Sequence, residues 1–327
     1  MKVCVVGAGA IGGFLGTRLA ATGEVSVAAL ARGATLVALR DQGWRLQTGA
    51  ALVHAPAATT SDDPSALGPQ DLVIITVKGQ ALPDLAPTLT PLIAADTLVL
   101  PAMNGVPWWF SDGIAALGAR PLESVDPGGG IAAAIPGRQV IGCVVHASAA
   151  TAAPGVTLHR MGRGLIIGEP AGGASARVRA LGELLTRAGF DVTCSQRIRY
   201  DIWYKLWGNM TMNPVSALTG ATMDRVLDDA LVRAFCSAAM AEAAAIGARI
   251  GCEVRESPDD RHAVTRKLGA FKTSMLQDVE ALRPLELDAL VGAVREIGER
   301  VGVATPNCDA LFGLTRLFGR VRGLYPL

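Results

Sequence analysis

The first half of the chain alternates short apolar runs with stretches of helical periodicity. Apolar runs rich in valine, isoleucine and leucine lie at 2–6, 25–30, 71–77 and 97–105. The run at 71–77 is continuous, which is typical of a strand buried on both faces of a sheet. Because helical segments separate these runs, the pattern predicts an α/β fold with a doubly wound parallel sheet.

The pattern changes between residues 120 and 170, where glycine and proline are dense and apolar runs are short. This composition favours either hairpins or an antiparallel extension of the sheet. The sequence then predicts a helix over 176–190 and a last strand over 191–195.

Beyond residue 196 the periodicity is helical almost throughout, as in 228–251. A further helix is expected over 285–302, because Pro284 is suited to a position at a helix start. We therefore expect two domains, a dinucleotide-binding domain at 1–196 and an all-helical domain at 197–327.

A glycine-rich turn joins the first apolar run to the first helix. The segment GAGAIG at 7–12 fits the pattern G-x-G-x-x-G. Gly7 allows a tight turn, Gly9 lets a pyrophosphate approach the backbone, and Gly12 lets the helix pack close to the strand. The phosphates then bind free N–H groups at the helix N-terminus. The sequence predicts a dinucleotide site at Gly7, Ala8, Gly9, Ala10, Ile11 and Gly12 rather than a purely structural turn.

The end of the second strand bears on the choice of cofactor. NAD sites usually carry an acid there, which accepts hydrogen bonds from the ribose hydroxyls. The segment ALARG at 29–33 contains no acid, and Arg32 is suited to bidentate binding of a 2′-phosphate. The alternative for Arg32 is a solvated surface side chain. We expect NADP (NADPH) rather than NAD.

Two polar residues follow later strands, where ligands of open α/β sheets bind. Lys78 comes directly after the run at 71–77, and Asn104 lies near the end of 97–105. Each has a plain alternative, since Lys78 can extend to solvent and Asn104 can form only a turn with Gly105.

The segment KLWGNMTMNP at 205–214 places three polar residues in an otherwise apolar stretch. Lys205, Asn209 and Asn213 are spaced by four, so they share one slowly drifting stripe of a helix. Such a stripe is either a solvated face or a row of hydrogen-bonding groups aimed into a cleft.

The segment 273–290 adds Ser274 and Glu286 as polar candidates. Ser274 is alternatively a plain helix cap. Glu286 lies two residues after Pro284, so its alternative role is to favour the helix dipole.

Composition narrows the functional classes. The formal net charge is +1 and 18% of the 327 residues are charged, which indicates a globular protein with no nucleic-acid footprint. The six cysteines are dispersed, which favours reduced thiols and a cytoplasmic location. The longest charge-free run, 139–159, contains Pro154 and Gly155, so no membrane span is expected. None of the four histidines has ligand spacing, and no metal is expected.

Taken together, these motifs resemble the ketopantoate reductase (2-dehydropantoate 2-reductase) family over essentially the whole chain. The resemblance rests on GAGAIGG, the strand-end Lys78, the Asn-Gly pair at 104–105, KLWGNMTMNP and SMLQDVEALRPLELD. It implies an N-terminal Rossmann domain, a C-terminal helical domain and an active site between them.

The resemblance also implies roles for the candidate residues. Lys205 matches the general acid, and Glu286 matches the acid that binds substrate and supports the lysine. Arg32 matches the contact to the 2′-phosphate of NADPH, and Lys78 matches a lysine near the cofactor and the reacting centre. The remaining matches are substrate-binding positions, with Asn104 also near the cofactor: Asn104, Asn209, Asn213 and Ser274.

Two segments depart from the family pattern. Trp108, Trp109 and Phe110 directly follow the Asn104 turn, as either core residues or an apolar wall of the substrate pocket. The segment ESVDPGGG at 123–130 stands where the family usually has a threonine-rich strand. Both departures leave the reaction type unchanged but leave the substrate open.

The resemblance therefore implies NADPH-dependent reduction of ketopantoate to (R)-pantoate, for pantothenate biosynthesis. One alternative is a reductase of a bulkier 2-oxo acid. Another is a cofactor-binding sensor without catalysis, which would need neither Lys205 nor Glu286. The long helices of the second domain are compatible with a homodimer.

Overall fold

The computed structural model describes residues 1–327, which form two compact units. The sheet unit comprises Met1–Met103 and Gly129–Asp201, and the helical unit comprises Asn104–Gly128 and Ile202–Leu327. These units differ from a single boundary at 196, because the chain crosses at 103–104, at 128–129 and at 201–202. The segment 104–128 joins the helical unit, where it contributes buried aromatic residues.

All strands and five helices lie in the sheet unit. The strands are β1 (Lys2–Val6), β2 (Ser26–Leu30), β3 (Trp44–Thr48), β4 (Ala51–Ala55), β5 (Thr60–Ser61), β6 (Gln70–Ile75), β7 (Ile93–Pro101), β8 (Gly142–Ala153), β9 (Val156–Gly168) and β10 (Asp191–Ser195). The helices are α1 (Ala10–Ala21), α2 (Gly33–Gln42), α3 (Leu82–Leu85), α4 (Gly130–Ala134) and α5 (Ala176–Arg187).

Helix α6 (Ile198–Thr219) contains the last boundary, and the remaining helices belong to the helical unit. They are α7 (Met223–Asp228), α8 (Ala230–Arg249), α9 (Pro258–Arg266), α10 (Ser274–Glu280), a π-helix (Asp288–Gly292), α11 (Ala293–Arg300) and α12 (Pro306–Val321). Short 3₁₀ helices occupy Pro64–Ala66, Gly79–Ala81, Ala86–Leu92, Ala115–Leu117, Pro127–Gly129 and Gly137–Gln139.

The first sheet is fully parallel, with strand order β5-β2-β1-β6-β7. Its central strand β1 pairs with β2 on one side and with β6 on the other. The four residues Val3–Val6 of β1 are at most 1% exposed, as expected for a strand covered on both faces. The predicted parallel α/β architecture is confirmed.

The second sheet has the order β10-β9-β3-β4, and β8 pairs with β9. Strands β8 and β9 form a long antiparallel hairpin from Gly142 to Gly168. Of the two readings left open for 120–170, the hairpin is therefore correct, and it extends a separate sheet rather than the parallel one. Strand β10 begins and ends at the residues predicted from the sequence.

The core of the helical unit forms around α6 and α8. The indole N–H of Trp207 donates to the Met240 carbonyl at 2.7 Å, and that of Trp203 donates to the Ala243 carbonyl at 3.3 Å. Helix α8 has the length and apolar composition of a membrane span, with a mean hydropathy of 1.4. Core helices of soluble proteins meet the same criteria, and α8 packs its apolar stripe on these tryptophans.

Two helix boundaries differ from the sequence prediction. The helix expected over 228–251 is broken at Asp229, whose carboxylate caps α8 by accepting from the N–H groups of Leu231 and Val232. The helix expected from residue 285 begins only at Asp288, with a π-helix. The backbone N–H of Leu285 instead donates to the Leu324 carbonyl, so a contact with the C-terminal tail replaces the first turn.

The structure shows what the two segments that depart from the family pattern form. Trp108, Trp109 and Phe110 are at most 3% exposed, and Phe110 stacks on Trp203 with ring centroids 5.9 Å apart. The core reading of these three residues is therefore favoured over a pocket wall. The segment ESVDPGGG forms turns and a 3₁₀ helix rather than a strand.

Glu296 of α11 binds the start of the segment ESVDPGGG through hydrogen bonds. Its carboxylate accepts from the backbone N–H groups of Glu123 and Ser124, both at 2.9 Å, and from the Ser124 hydroxyl at 2.6 Å. Arg300 pairs with the same carboxylate. Burial alone would raise the pKa of Glu296, but the hydrogen bonds from Ser124 and Glu123 outweigh it and hold the pKa below its ordinary value.

We expect Glu296→Gln to lower the free energy of unfolding at pH 7 by about 1 to 3 kcal/mol, because it removes a buried acceptor of several hydrogen bonds. A carboxylate with a lowered pKa stabilises the fold above its unfolded pKa, and this stabilisation is lost as pH falls through the folded pKa. The difference in free energy of unfolding between wild type and variant should therefore become smaller in acid. Urea unfolding between neutral pH and pH 3 to 4, roughly the ordinary pKa range of glutamate, measures this difference.

The exposed Glu299 lies on the same helix, and Glu299→Gln is the matched control. A gap between wild type and Glu296→Gln that stayed constant across this pH range would contradict the role assigned to the carboxylate.

Candidate active site

Three loops of the sheet unit meet at one edge of the parallel sheet. The register pairs Val6 of β1 with Leu30 of β2 and with Ile75 of β6, so all three strands end level with one another. The N–H of Gly7 donates to the Leu30 carbonyl at 2.9 Å, and the N–H of Thr76 donates to the Val6 carbonyl at 2.9 Å. The carboxyl ends of these strands therefore support one binding edge.

The glycine loop has the geometry that a pyrophosphate requires. Gly7 has φ +91°, a left-handed conformation that favours glycine. A Cβ on Gly12 would lie 2.1 Å from the Gly7 carbonyl oxygen, so only glycine permits this approach of helix and strand. A Cβ on Gly9 would meet nothing within 4 Å, which leaves open space above the turn. Helix α1 begins at Ala10 without a side-chain cap, so its first N–H groups can donate to phosphate oxygens.

Arg32 and Lys78 lie at the same edge. Arg32 is exposed and directly precedes α2, two residues beyond the end of β2. Lys78 is half-buried and precedes the 3₁₀ helix that starts at Gly79, beyond the end of β6. The residues present thus fit a dinucleotide, with the phosphates at the glycine loop and a cation beyond β2.

In the helical unit, the polar stripe lies on one continuous helix. Lys205, Asn209 and Asn213 all belong to α6, as the spacing predicts. Lys205 and Asn209 are half-buried and Asn213 is only 6% exposed, so the stripe is not a solvated face. Pro214 lies inside the helix and has no N–H to donate to the Met210 carbonyl.

Lys205 meets Asn104 within the helical unit. The Lys205 ammonium donates to the Asn104 side-chain oxygen Oδ1 at 2.9 Å, across 101 positions of sequence. The amide oxygen accepts this hydrogen bond without adding a charge of its own. The structure therefore brings together two residues that the sequence placed on different elements.

The Asn104 turn is held by the π-helix. Gly105 has φ +84°, and a Cβ there would lie 2.5 Å from the Ala289 carbonyl oxygen. The N–H of the next residue, Val106, donates to that same carbonyl at 2.8 Å. The Asn-Gly pair is thus a turn, as its alternative reading held, but the turn also aims Asn104 at Lys205.

Glu286 and Ser274 occupy positions that differ from their plain alternatives. Glu286 is half-buried in the loop before the π-helix, so it does not lie in a first helical turn. Thr273 caps α10 by accepting from the Leu276 N–H at 3.1 Å, so the alternative of a plain helix cap at Ser274 does not hold. Ser274 is the exposed first residue of that helix. The roles of both residues toward substrate remain predictions.

The C-terminal tail supplies a contact that sequence reasoning missed. The Tyr325 hydroxyl donates to the Asp288 carboxylate at 2.6 Å, and the Leu324 carbonyl accepts from the Leu285 N–H at 2.9 Å. Burial raises the pKa of Asp288 above its ordinary value, although the hydrogen bond from Tyr325 opposes the shift. These bonds fix both sides of Glu286, and no local sequence pattern points to Tyr325.

Five of the six cysteines are buried, and neither cysteines nor histidines form a group suited to a metal ion. All six cysteines are free thiols, and burial raises the pKa of Cys236 to about 11 and that of Cys4 to about 12. Thiols of this kind are structural rather than nucleophilic. No group of three or more histidine, cysteine or acidic side chains is arranged to hold a metal ion.

Comparison with known proteins covers both halves of the chain. Residues 3–172 match the family model of ketopantoate reductase PanE/ApbA, and residues 197–318 match the model of its C-terminal domain. A 2-dehydropantoate 2-reductase from Mesorhizobium japonicum is 40% identical over 99% of this chain and 100% of its own.

Solved structures show the same likeness over the full length. A chain from Ralstonia solanacearum MolK2, with a provisional ketopantoate reductase assignment, is 57% identical with a TM-score of 0.95, covering 99% of both chains. A D-mandelate dehydrogenase in complex with NADH and anilino(oxo)acetate shares the fold at 21% identity, with a TM-score of 0.84, covering 99% of this chain and 100% of its own. From its glycine loop, its Lys205 stripe and these matches to both domains, the chain belongs to the ketopantoate reductase PanE/ApbA family.

Proposed function

We propose that the protein reduces the 2-oxo group of ketopantoate to (R)-pantoate with NADPH, the reductive step that supplies pantothenate biosynthesis. The observation that carries the proposal is the position of the Lys205 ammonium. It donates to Asn104 and lies on the half-buried polar stripe of α6. The full-length 2-dehydropantoate 2-reductase relative supports the substrate. Six free thiols support a cytoplasmic location.

The chemistry of the helical unit suits a 2-oxo acid. Hydride addition at C2 develops negative charge on the carbonyl oxygen, and a bound NADPH supplies that hydride. The Lys205 ammonium stabilises the developing charge and then donates its proton to the oxygen. The amides of Asn104, Asn209 and Asn213 bind the substrate's polar groups without adding charge, and Ser274 contributes a hydroxyl. Glu286 favours the charged form of the lysine.

The preference for NADPH rests on the end of β2. The segment 29–33 has no acid to accept from the ribose hydroxyls, and Arg32 offers a fork of donors to a 2′-phosphate. By the resemblance to the family, we assign Lys78 and Asn104 to contacts with the cofactor. Because a fold neighbour binds NADH, the two cofactors must be compared directly.

A bulkier 2-oxo acid is less favoured as the substrate. That alternative depended on Trp108, Trp109 and Phe110 forming a pocket wall, and all three are buried in the core of the helical unit. A sensor without catalysis is also disfavoured, because a binding protein has no need of a half-buried lysine held by an amide.

Replacing Lys205 tests the catalytic assignment. We expect Lys205→Ala to lower kcat with ketopantoate and NADPH by about 10² to 10⁴, the usual contribution of a general acid. NADPH binding, measured by fluorescence titration, should be retained because the glycine loop belongs to the sheet unit. Lys267→Ala removes an exposed lysine of the same unit and is the matched control. Near-normal turnover of Lys205→Ala would show that Lys205 is not the general acid.

Arg32 tests the cofactor assignment. We expect Arg32→Ala to raise the KM for NADPH by roughly tenfold or more and to leave the KM for NADH unchanged, because only NADPH carries the 2′-phosphate. Arg40→Ala, an exposed arginine in the last turn of α2, is the control. Equal effects on both cofactors would argue against 2′-phosphate recognition by Arg32.

Tyr325 tests the link between the tail and the Glu286 loop. We expect Tyr325→Phe to lower kcat by about tenfold, since a small displacement of a catalytic group is costly, while Kd for NADPH stays unchanged. The experiment compares kcat, KM and Kd, together with the thermal midpoint. A variant that loses thermal stability but keeps wild-type kcat would show that the contact is structural only.

A further inference from the structure

Arg261 of α9 is a half-buried cation that has no carboxylate partner. Its side-chain Nε is buried and has no hydrogen-bond partner. The ion pairs of α9 involve other residues, such as Arg266, which pairs with Asp228. Buried polar groups are normally paired, and taking a charged group out of water without a partner is costly. A guanidinium of this kind indicates that an anion binds beside it.

The Arg261 guanidinium lies against α6, the helix that carries Lys205. Its Cζ lies 5.1 Å from the centre of the Tyr204 ring, which is a cation–π contact. A Cβ on Gly208 would lie 2.8 Å from the Arg261 Nε and 3.1 Å from its Nη2. Glycine is unfavourable in a helix interior, and here the absence of a side chain gives the guanidinium its room.

This contact places Arg261 beside the polar stripe of the helical unit. Gly208 and Lys205 are spaced by three on α6. Positions at that spacing are neighbours on a helix surface, roughly 5 to 6 Å apart. The guanidinium that covers position 208 is therefore next to the part of the stripe where Lys205 lies.

The residues assigned to the substrate leave its carboxylate without a cation of its own. In the proposed reaction, Lys205 serves the carbonyl oxygen and Glu286 adds a negative charge, while the other substrate-binding candidates are neutral amides and a hydroxyl. In a 2-oxo acid the carboxylate is bonded directly to the reacting carbon, so the group that binds it has to lie close to Lys205. A guanidinium presents its donors in a planar fork that matches a carboxylate.

We propose that Arg261 binds the carboxylate of the 2-oxo acid, with Gly208 giving the guanidinium its place on α6. The inference rests on the proposed function for the class of substrate. It adds a binding residue from α9, a helix from which the sequence pattern indicates no candidate. Lys205 and Arg261 then divide the two oxygen-bearing groups of the substrate between them.

Calorimetric titration of the full chain, with NADP present, tests the proposal with two probes. The probes are 2-oxoisovalerate, which is a 2-oxo acid, and its uncharged methyl ester. The wild type should bind the acid more tightly than the ester. Arg261→Gln should weaken binding of the acid by about 10- to 100-fold and binding of the ester by no more than about twofold. Arg261→Lys should recover part of the loss, because it keeps the charge without the fork.

Arg255→Gln is the matched control, since it removes an arginine of the same unit whose side chain is 86% exposed. Circular dichroism checks that each variant is folded. Equal weakening of acid and ester by Arg261→Gln, or unchanged binding of the acid, overturns the proposal. A wild type that binds the acid no more tightly than the ester overturns it as well.

A second variant keeps the arginine and displaces it. Gly208→Ala places a Cβ 2.8 Å from the Arg261 Nε, so the guanidinium has to shift on α6. Because alanine is the better helix former, the thermal midpoint should stay the same or rise, whereas Kd for the acid should rise by roughly fivefold or more. A lowered midpoint with an unchanged Kd for the acid would show that Arg261 acts only in packing.

Turnover of ketopantoate separates this inference from the proposed function. A wild type that reduces no ketopantoate, but binds the acid through Arg261, contradicts the proposed function alone. A wild type that reduces ketopantoate with a KM that Arg261→Gln leaves unchanged contradicts this inference alone.

Discussion

A half-buried ammonium group needs a hydrogen-bond acceptor, and in the helical unit Asn104 provides one for Lys205. The amide oxygen can do so only because the backbone around it is fixed. Gly105 adopts a left-handed conformation, and Val106 binds the Ala289 carbonyl that the π-helix presents. The position of one cation thus depends on three segments that are distant in sequence.

The two units prepare their parts of the chemistry in opposite ways. In the sheet unit the glycine loop depends on the absence of side chains. Gly9 leaves open space above the turn, and Gly12 lets α1 lie against the Gly7 carbonyl. The helical unit works through side chains held in place, with Lys205 and Asn213 on one helix and Glu286 on a loop. Phosphates need backbone N–H groups and room, whereas a 2-oxo acid needs directed donors.

The C-terminal residues connect the surface of the helical unit to its site. Helix α12 packs its inner face on α8, and the Glu242 carboxylate accepts from the N–H groups of Asn307 and Cys308 at the start of α12. The tail beyond α12 then reaches Leu285 and Asp288 on either side of Glu286. The packing of α12 therefore also supports that loop.

The sequence by itself determined the parallel sheet, the glycine loop, the helical second half and the stripe of Lys205, Asn209 and Asn213. These are local features, because periodicity and turn chemistry act over a few residues. Only the tertiary structure decided that residues 104–128 join the helical unit, that Thr273 rather than Ser274 caps α10, and that the helix expected from residue 285 begins only at Asp288, with a π-helix. Each of these depends on a partner distant in sequence, as Leu324 is for Leu285 and Ala289 is for Val106. A backbone hydrogen bond to a remote segment leaves no periodic trace in the chain, so the burial of Trp108 and the role of Tyr325 became visible only once the fold had brought those segments together.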